Sequence, residues 1–119
     1  MSSRSIAVAM TERELQRNVI DLAVWLGFSL VYNTWSSSHS PSGFPDLCLC
    51  RPSDSTIIFI ELKSERGKVA PSQEAWIRGL KECGQTVYIF RPADWFSGAI
   101  EQALAPRTHR GEVLYVPAL

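Results

Sequence analysis

Leu15, Val19, Leu22 and Leu26 recur at i, i+4, i+7 and i+11, a spacing that predicts an amphipathic helix over residues 11–26. Thr11 offers an N-cap oxygen, Glu12 and Glu14 sit in the first turn, where the helix dipole favours carboxylates, and Gly27 gives a stop signal. The period then changes. Residues 28–33 read as a short strand, and residues 34–43, with five serines, His39 and Pro41, read as a polar, mobile loop. Residues 46–51 and 56–63 read as two strands joined by the turn-forming Pro52-Ser53-Asp54-Ser55. Ile57, Ile58, Phe59 and Ile60 are apolar on both alternations, which predicts a central strand covered on both faces. A charged loop over residues 64–70 leads to a helix that opens at Pro71-Ser72 and runs to about Cys83, before Gly84. A strand over residues 86–90 and a third helix over residues 94–104 follow. In the tail, only residues 113–116 have strand character.

The order α-β-β-β-α-β-α predicts an α/β fold, a mixed four-stranded sheet with helices on both faces. One domain is expected over residues 11–105, between a loose leader (1–10) and a C-terminal tail (106–119). With 119 residues, 45% hydrophobic and 20% charged, the chain can bury a core without disulfides or a structural metal. No apolar run approaches the roughly 18 residues of a membrane span, and the apolar part of the leader is too short for a signal-peptide core. Cys48, Cys50 and Cys83 are odd in number and lack C-x-x-C spacing. Cys48 and Cys50 alternate with Leu47 and Leu49 and are expected to pack in the core, which fits a reducing cytoplasm better than a zinc or redox site. Lysines and arginines equal aspartates and glutamates at 12 each. Neutrality counts mildly against a nucleic-acid partner, since phosphate affinity comes from cations, but an acidic metal site would itself offset cations placed elsewhere.

Candidate chemistry gathers at one end of the predicted hairpin. A turn centred between Ser53 and Asp54 sets Asp46 directly opposite Glu61, with Cβ atoms about 4.5–5.5 Å apart on one sheet face. Lys63, two residues on, emerges on the same face. Like charges set opposite one another are destabilising, and a divalent cation removes the conflict. Mg²⁺ takes one or two carboxylates together with waters and phosphate oxygens. At about 100° per residue, Glu12 falls at the edge of the helix's apolar face, about 60° from Leu15, and Gln16 at about 100°, whereas Glu14 points to solvent. Glu12 is thus expected to look toward Asp46 and Glu61. Lys63, as an ammonium, is expected to position the attacking water and stabilise charge on the phosphoryl oxygens, while the metal activates that water.

Around this centre several side chains have two readings. Gln16 reads equally as a surface residue or a nucleic-acid contact, and Arg66 and Lys68 equally as phosphate contacts or a solvated loop. Trp76 shares a helical face with Leu80 and Cys83 and is expected in the core. His39 has no partner in sequence, and Trp35 with its serines is placed to touch a substrate if that loop orders.

Several segments together resemble the VRR-NUC (virus-type replication-repair nuclease) domains of the PD-(D/E)XK nuclease superfamily, particularly the short stand-alone phage and bacterial kind. They are Thr11-Glu12 with Leu15-Gln16, Gly43-Phe44-Pro45-Asp46-Leu47, Ile60-Glu61-Leu62-Lys63, Ser64-Glu65-Arg66-Gly67, Gln73 with Trp76, and Tyr88-Ile89-Phe90-Arg91-Pro92. The resemblance covers residues 11–104. It implies a restriction-endonuclease-like αβββαβ core and Mg²⁺- or Mn²⁺-dependent cleavage of DNA. It also implies that Asp46, Glu61 and the Leu62 carbonyl bind the metal, Glu12 completes the site, Lys63 is the catalytic lysine, and Gln73 orients water or backbone nearby. Relatives of this kind suggest a homodimer acting on branched DNA such as four-way junctions. The rival readings are a catalytically silent DNA-binding subunit that keeps the fold, and a metal hydrolase acting on RNA or a small molecule.

Overall fold

Helix α1 (Ser3–Ala9) and helix α2 (Glu12–Trp25) open the computed structural model, which describes residues 3–34 and 42–107. Thr11 holds extended backbone, and its Oγ1 accepts the Glu14 N–H at 3.1 Å, satisfying one of the amides a helix start leaves without a partner. The apolar stripe of α2 buries Leu15, Val19 and Leu22 as its spacing predicts. The chain then reverses through Gly27, at φ +95°, into β1 (Leu30–Asn33).

Strands β2 (Leu47–Arg51), β3 (Thr56–Leu62) and β4 (Thr86–Phe90) complete a sheet of order β1-β2-β3-β4. The first three strands run antiparallel and β4 lies parallel to β3. A parallel neighbour needs a crossover, and α3 (Pro71–Glu82) provides it. The register of β2 on β3 pairs Leu47 with Ile60 and Arg51 with Thr56, as expected from the position of the turn. That turn is a 3₁₀ segment, Pro52–Asp54, closed by Ser55 at φ 57°.

The core lies on one side of the sheet. Leu47, Leu49, Ile58, Ile60, Leu62 and Phe90 pack against Leu15, Val19 and Leu22 of α2 and against Ile100 and Leu104 of α5 (Ala99–Leu104). Each fully buried aliphatic side chain contributes roughly 1.5–3 kcal/mol, so this layer carries much of the fold. The opposite side is only half covered. There α3 lays Ile77 down, and Phe44 sits edge-on to both Phe59 and Trp76, with centroids 6.1 and 5.0 Å away. Beyond α3, Leu30, Tyr32 and Ile57 remain 60%, 55% and 41% exposed.

Five expectations change as a result. Strand β3 is central in order, but its second face is open at Ile57. Cys48 and Cys50 lie on that half-covered face and are only partly buried, while Cys83 is exposed; burial and the neighbouring Cys50 push the Cys48 thiol up from its usual range. Trp76 is 37% exposed rather than core, because Ile77 is the residue α3 turns inward. Residues 3–9 form a helix rather than a loose leader, with Ala7 buried and α1 packed on α4 (Pro92–Phe96). The predicted helix over residues 94–104 is also split. Gly98, at φ +85°, takes a left-handed conformation that no continuous helix tolerates, and separates α4 from α5. His39, Trp35 and residues 113–116 lie outside the described residues. Among those described, no helix is long and apolar enough to cross a membrane.

At the end of β2 away from Asp46, Arg51 lies in the core at 2% exposure. Its Nη1 donates to the carbonyls of Leu26 and Leu104 at 3.0 and 2.6 Å, and its Nη2 to that of Ala105 at 3.2 Å. Its Nε donates to Asp54 Oδ1 at 2.9 Å, and the guanidinium carbon stands 4.2 Å from the Phe28 ring centroid. A helix C-terminus leaves carbonyls without intrahelical donors. One side chain therefore caps both α2 and α5.

Candidate active site

The approach to Asp46 is set by Gly43. It adopts φ +93°, and a Cβ there would lie 2.3 Å from the Ser72 carbonyl oxygen and 2.8 Å from the Gln73 nitrogen. Only glycine lets the chain pass so close to the start of α3. The β1–β2 pairing then extends by one more step: the Thr34 N–H donates to the Asp46 carbonyl at 2.8 Å, and Thr34 Oγ1 to the Pro45 carbonyl at 2.6 Å. Asp46 is thus delivered to the end of β3, where its Oδ2 accepts the Leu62 N–H at 2.7 Å.

Glu61 is 1% exposed, and its Oε2 has no hydrogen-bond partner among the described residues. Burial, then the hydrogen bond and negative charge of Asp46, push its carboxyl up to about 9, against the opposing pull of Lys63. Glu12, at the start of α2, is raised by partial desolvation and by Asp46 and lowered by Lys63. The structure therefore brings Glu12, Asp46, Glu61 and Lys63 within electrostatic reach of one another, from α2, the approach to β2, and the end of β3.

The remaining expected residues are placed differently. Leu62 is the last residue of β3, and its N–H holds Asp46. Gln73 turns toward its own helix: its Oε1 accepts the Ala70 N–H at 2.8 Å, which is the structural role open to a polar residue at N3. Gln16 is half-buried one turn after Glu12, and Arg66 and Lys68 are exposed on the loop beyond Lys63. Sequence reading missed Thr34, which fastens the backbone at Pro45 and Asp46 and lies at the edge of a serine-rich stretch without a motif.

Two adjacent carboxyls with one buried oxygen lacking any donor form an incomplete site by the usual rule that buried polar atoms are paired. Among the described residues, no three or more His, Cys, Asp or Glu side chains cluster as a metal cage. The donor set instead suits a hard cation that takes one or two carboxylates and keeps waters.

The raised Glu61 carboxyl has a stability consequence. Folding retains a proton that the unfolded chain loses above its ordinary carboxylate range, so stability falls as pH rises from about 4.5 toward about 9. Glu61→Gln copies the protonated form. In chelator it is expected to raise Tm at pH 7 to 8 and to flatten this fall. A thermal melt series showing equal slopes for wild type and variant would contradict that reading.

The model of the VRR-NUC domain family matches residues 28–94, more than half of the chain. A solved structure named "VRR_NUC domain" superposes with a TM-score of 0.64 at 26% identity, over 77% of this chain and 97% of that one. A second, named "VRR_NUC domain protein", gives 0.57 at 17% identity over 87% and 98%, and shares the fold. A Fanconi-associated nuclease 1 homolog of Schizosaccharomyces pombe is 41% identical over 44 residues. That stretch is 37% of this chain and only 6% of the much longer relative. The matched residues include Asp46, Glu61, Lys63 and the sheet that positions them, and the chain belongs to the VRR-NUC domain family.

Proposed function

We propose that the chain is a divalent-metal-dependent nuclease of the PD-(D/E)XK type that hydrolyses phosphodiester bonds in DNA. The observation that carries this reading is half-buried Asp46 beside buried Glu61, whose Oε2 is orphaned, next to Lys63. Asp46, Glu61, the Leu62 carbonyl and Glu12 would hold Mg²⁺ or Mn²⁺. When bound, the ion supplies Lewis-acid polarisation of the phosphate and a more acidic water. The chain's own residues do the rest. The Leu62 N–H holds Asp46 before any ligand arrives, so its orientation adds little reorganisation during reaction. Lys63 positions the attacking water and offsets charge developing on the phosphoryl oxygens. Arg66, Lys68 and Gln16 contact the substrate backbone, and Gln73, whose oxygen caps its own helix, orients water only through its amide nitrogen.

Branched DNA such as a four-way junction is the substrate class we assign, in a replication, repair or recombination setting and in a cytoplasm where the three cysteines stay reduced. The relative from S. pombe is by its name a nuclease, which supports the chemistry. A homodimer goes with this reading: Leu30, Tyr32 and Ile57 give a second copy an apolar sheet face to cover. Sedimentation at micromolar concentration should show a dimer, and a monomer alone would remove that element.

Labelled duplex, single-stranded, flapped and four-way-junction DNA, each incubated with Mg²⁺, Mn²⁺ or EDTA, tests the whole. Cutting in metal and none in EDTA is expected, fastest on the junction. Binding of junctions without cutting of any substrate would favour the silent DNA-binding subunit. Preferential cutting of RNA or nucleotides would move the activity to the other rival.

A further inference from the structure

Strands β3 and β4 stay paired as far as the Lys63 N–H, which donates to the Phe90 carbonyl at 3.0 Å. Beyond this point one chain enters the loop over residues 64–70 and the other enters α4. Arg91 stands at the fork. Its Nη1 donates to the carbonyls of Ser64 at 2.8 Å and Gly67 at 2.7 Å, and to that of Glu65 at 3.3 Å. The tie is returned from the other side, because the Glu65 carboxylate accepts the Ala93 N–H at 2.9 Å. Arg91 is itself fixed, since its N–H donates to Asp94 Oδ2 at 2.8 Å.

The turn so held is closed by the Gly67 N–H donating to the Ser64 carbonyl at 3.2 Å. It passes beside the stem of Lys63: a Cβ added at Gly67 would stand 3.6 Å from Lys63 Cδ and 2.8 Å from Ser64 Oγ. A lysine side chain is a compact charge on a flexible four-carbon stem, so the position of its ammonium depends on what walls the stem. Here the wall is a turn with no strand or helix of its own, gathered by one guanidinium.

We infer that Arg91 is a positioning residue for Lys63, acting through the turn at residues 64–67. This rests on the nuclease reading of Lys63 given above. Arg91 touches no reacting group. Its bonds to three carbonyls of one short loop set where Lys63 stands when substrate binds.

The test combines amide hydrogen exchange of the metal-free full chain with single-turnover cleavage of junction DNA. Wild type, Arg91→Ala, Arg91→Lys, Lys63→Ala and the double variant Lys63→Ala/Arg91→Ala are compared. In Arg91→Ala the Lys63 and Gly67 amides should exchange at least about tenfold faster while those of α2 and β2 are unchanged. Cleavage should slow about 10- to 100-fold, the scale expected of a displaced catalytic group. KM should stay within about twofold. Adding Arg91→Ala to Lys63→Ala should cost nothing further, because both act through one ammonium. Arg91→Lys returns a donor to the same carbonyls and should recover part of the rate; if the alanine variant does not fold, the lysine variant still reports on protection and rate. Unchanged protection at residues 63–67, or losses that multiply in the double variant, would overturn the assignment. Wild type that cuts nothing would overturn the nuclease reading instead, and the exchange measurement, which needs no substrate, keeps the two failures apart.

Discussion

Lys63→Ala is expected to lower DNA cleavage about 10²- to 10³-fold, the usual loss when one preorganised group that stabilises transition-state charge is removed. Lys63 is partly exposed and follows the last β3 residue, so truncating it opens no core cavity and the variant should melt close to wild type. Asp46→Asn should be at least as damaging for a different reason. An asparagine oxygen still accepts the Leu62 N–H that holds Asp46 at 2.7 Å, so the strand ends stay together while the charge is lost. Metal affinity should therefore fall for Asp46→Asn and stay near wild type for Lys63→Ala, as titration calorimetry with Mn²⁺ would show. Cleavage by Lys63→Ala within a few-fold of wild type would remove the lysine from the mechanism. Unchanged Mn²⁺ binding by Asp46→Asn would remove the aspartate from the metal site.

The largest effect on stability is expected at Arg51. Arg51→Met keeps much of the volume but leaves the carbonyls of Leu26, Leu104 and Ala105 without their side-chain donor and Asp54 without its guanidinium. Removing one member of a buried charge network costs about 3–5 kcal/mol, a large part of the roughly 5–15 kcal/mol that holds a domain of this size together. Urea unfolding at pH 7 should show that loss. A shift under about 1 kcal/mol would mean that water replaces the guanidinium at both helix ends. The pH dependence has a definite sign. Burial works to raise the Asp54 carboxyl, but hydrogen bonds from Arg51 and Thr56 and from the Arg107 amide, with the charge of Arg51, bring it down to about 2. A depressed carboxyl contributes stability that is complete above its unfolded value of 3.8 and is lost as pH falls through about 2. The gap between wild type and Arg51→Met should therefore narrow below about pH 4. Cleavage per folded molecule should be unaffected, because Arg51 sits at the opposite end of β2 from Asp46.

Residue order alone determined what depends on neighbours in the chain. The 3.6-residue spacing from Leu15 to Leu26 gave α2, and the turn at Pro52-Ser53-Asp54-Ser55 set a register that holds to the residue, because a slip by one would turn Leu47 and Leu49 off the core face. From that register and the helical angle of Glu12 came the convergence of Glu12, Asp46, Glu61 and Lys63. Local rules failed where a partner lies far away in sequence. Ala7 is buried only because α4 comes to meet it, and Trp76 is exposed because nothing described covers the outer side of α3. That Glu61 keeps a buried oxygen without a donor, beside an Asp46 already engaged by the Leu62 N–H, is a result of packing that composition cannot express. Arg51 reads as an ordinary strand-end cation until residues 26, 104 and 105 arrive around it, and Arg91 until residues 64–67 do. Periodicity encodes which face a side chain takes; only the packed chain decides which carbonyls and charges it finds there, since those contacts join residues that share no local pattern.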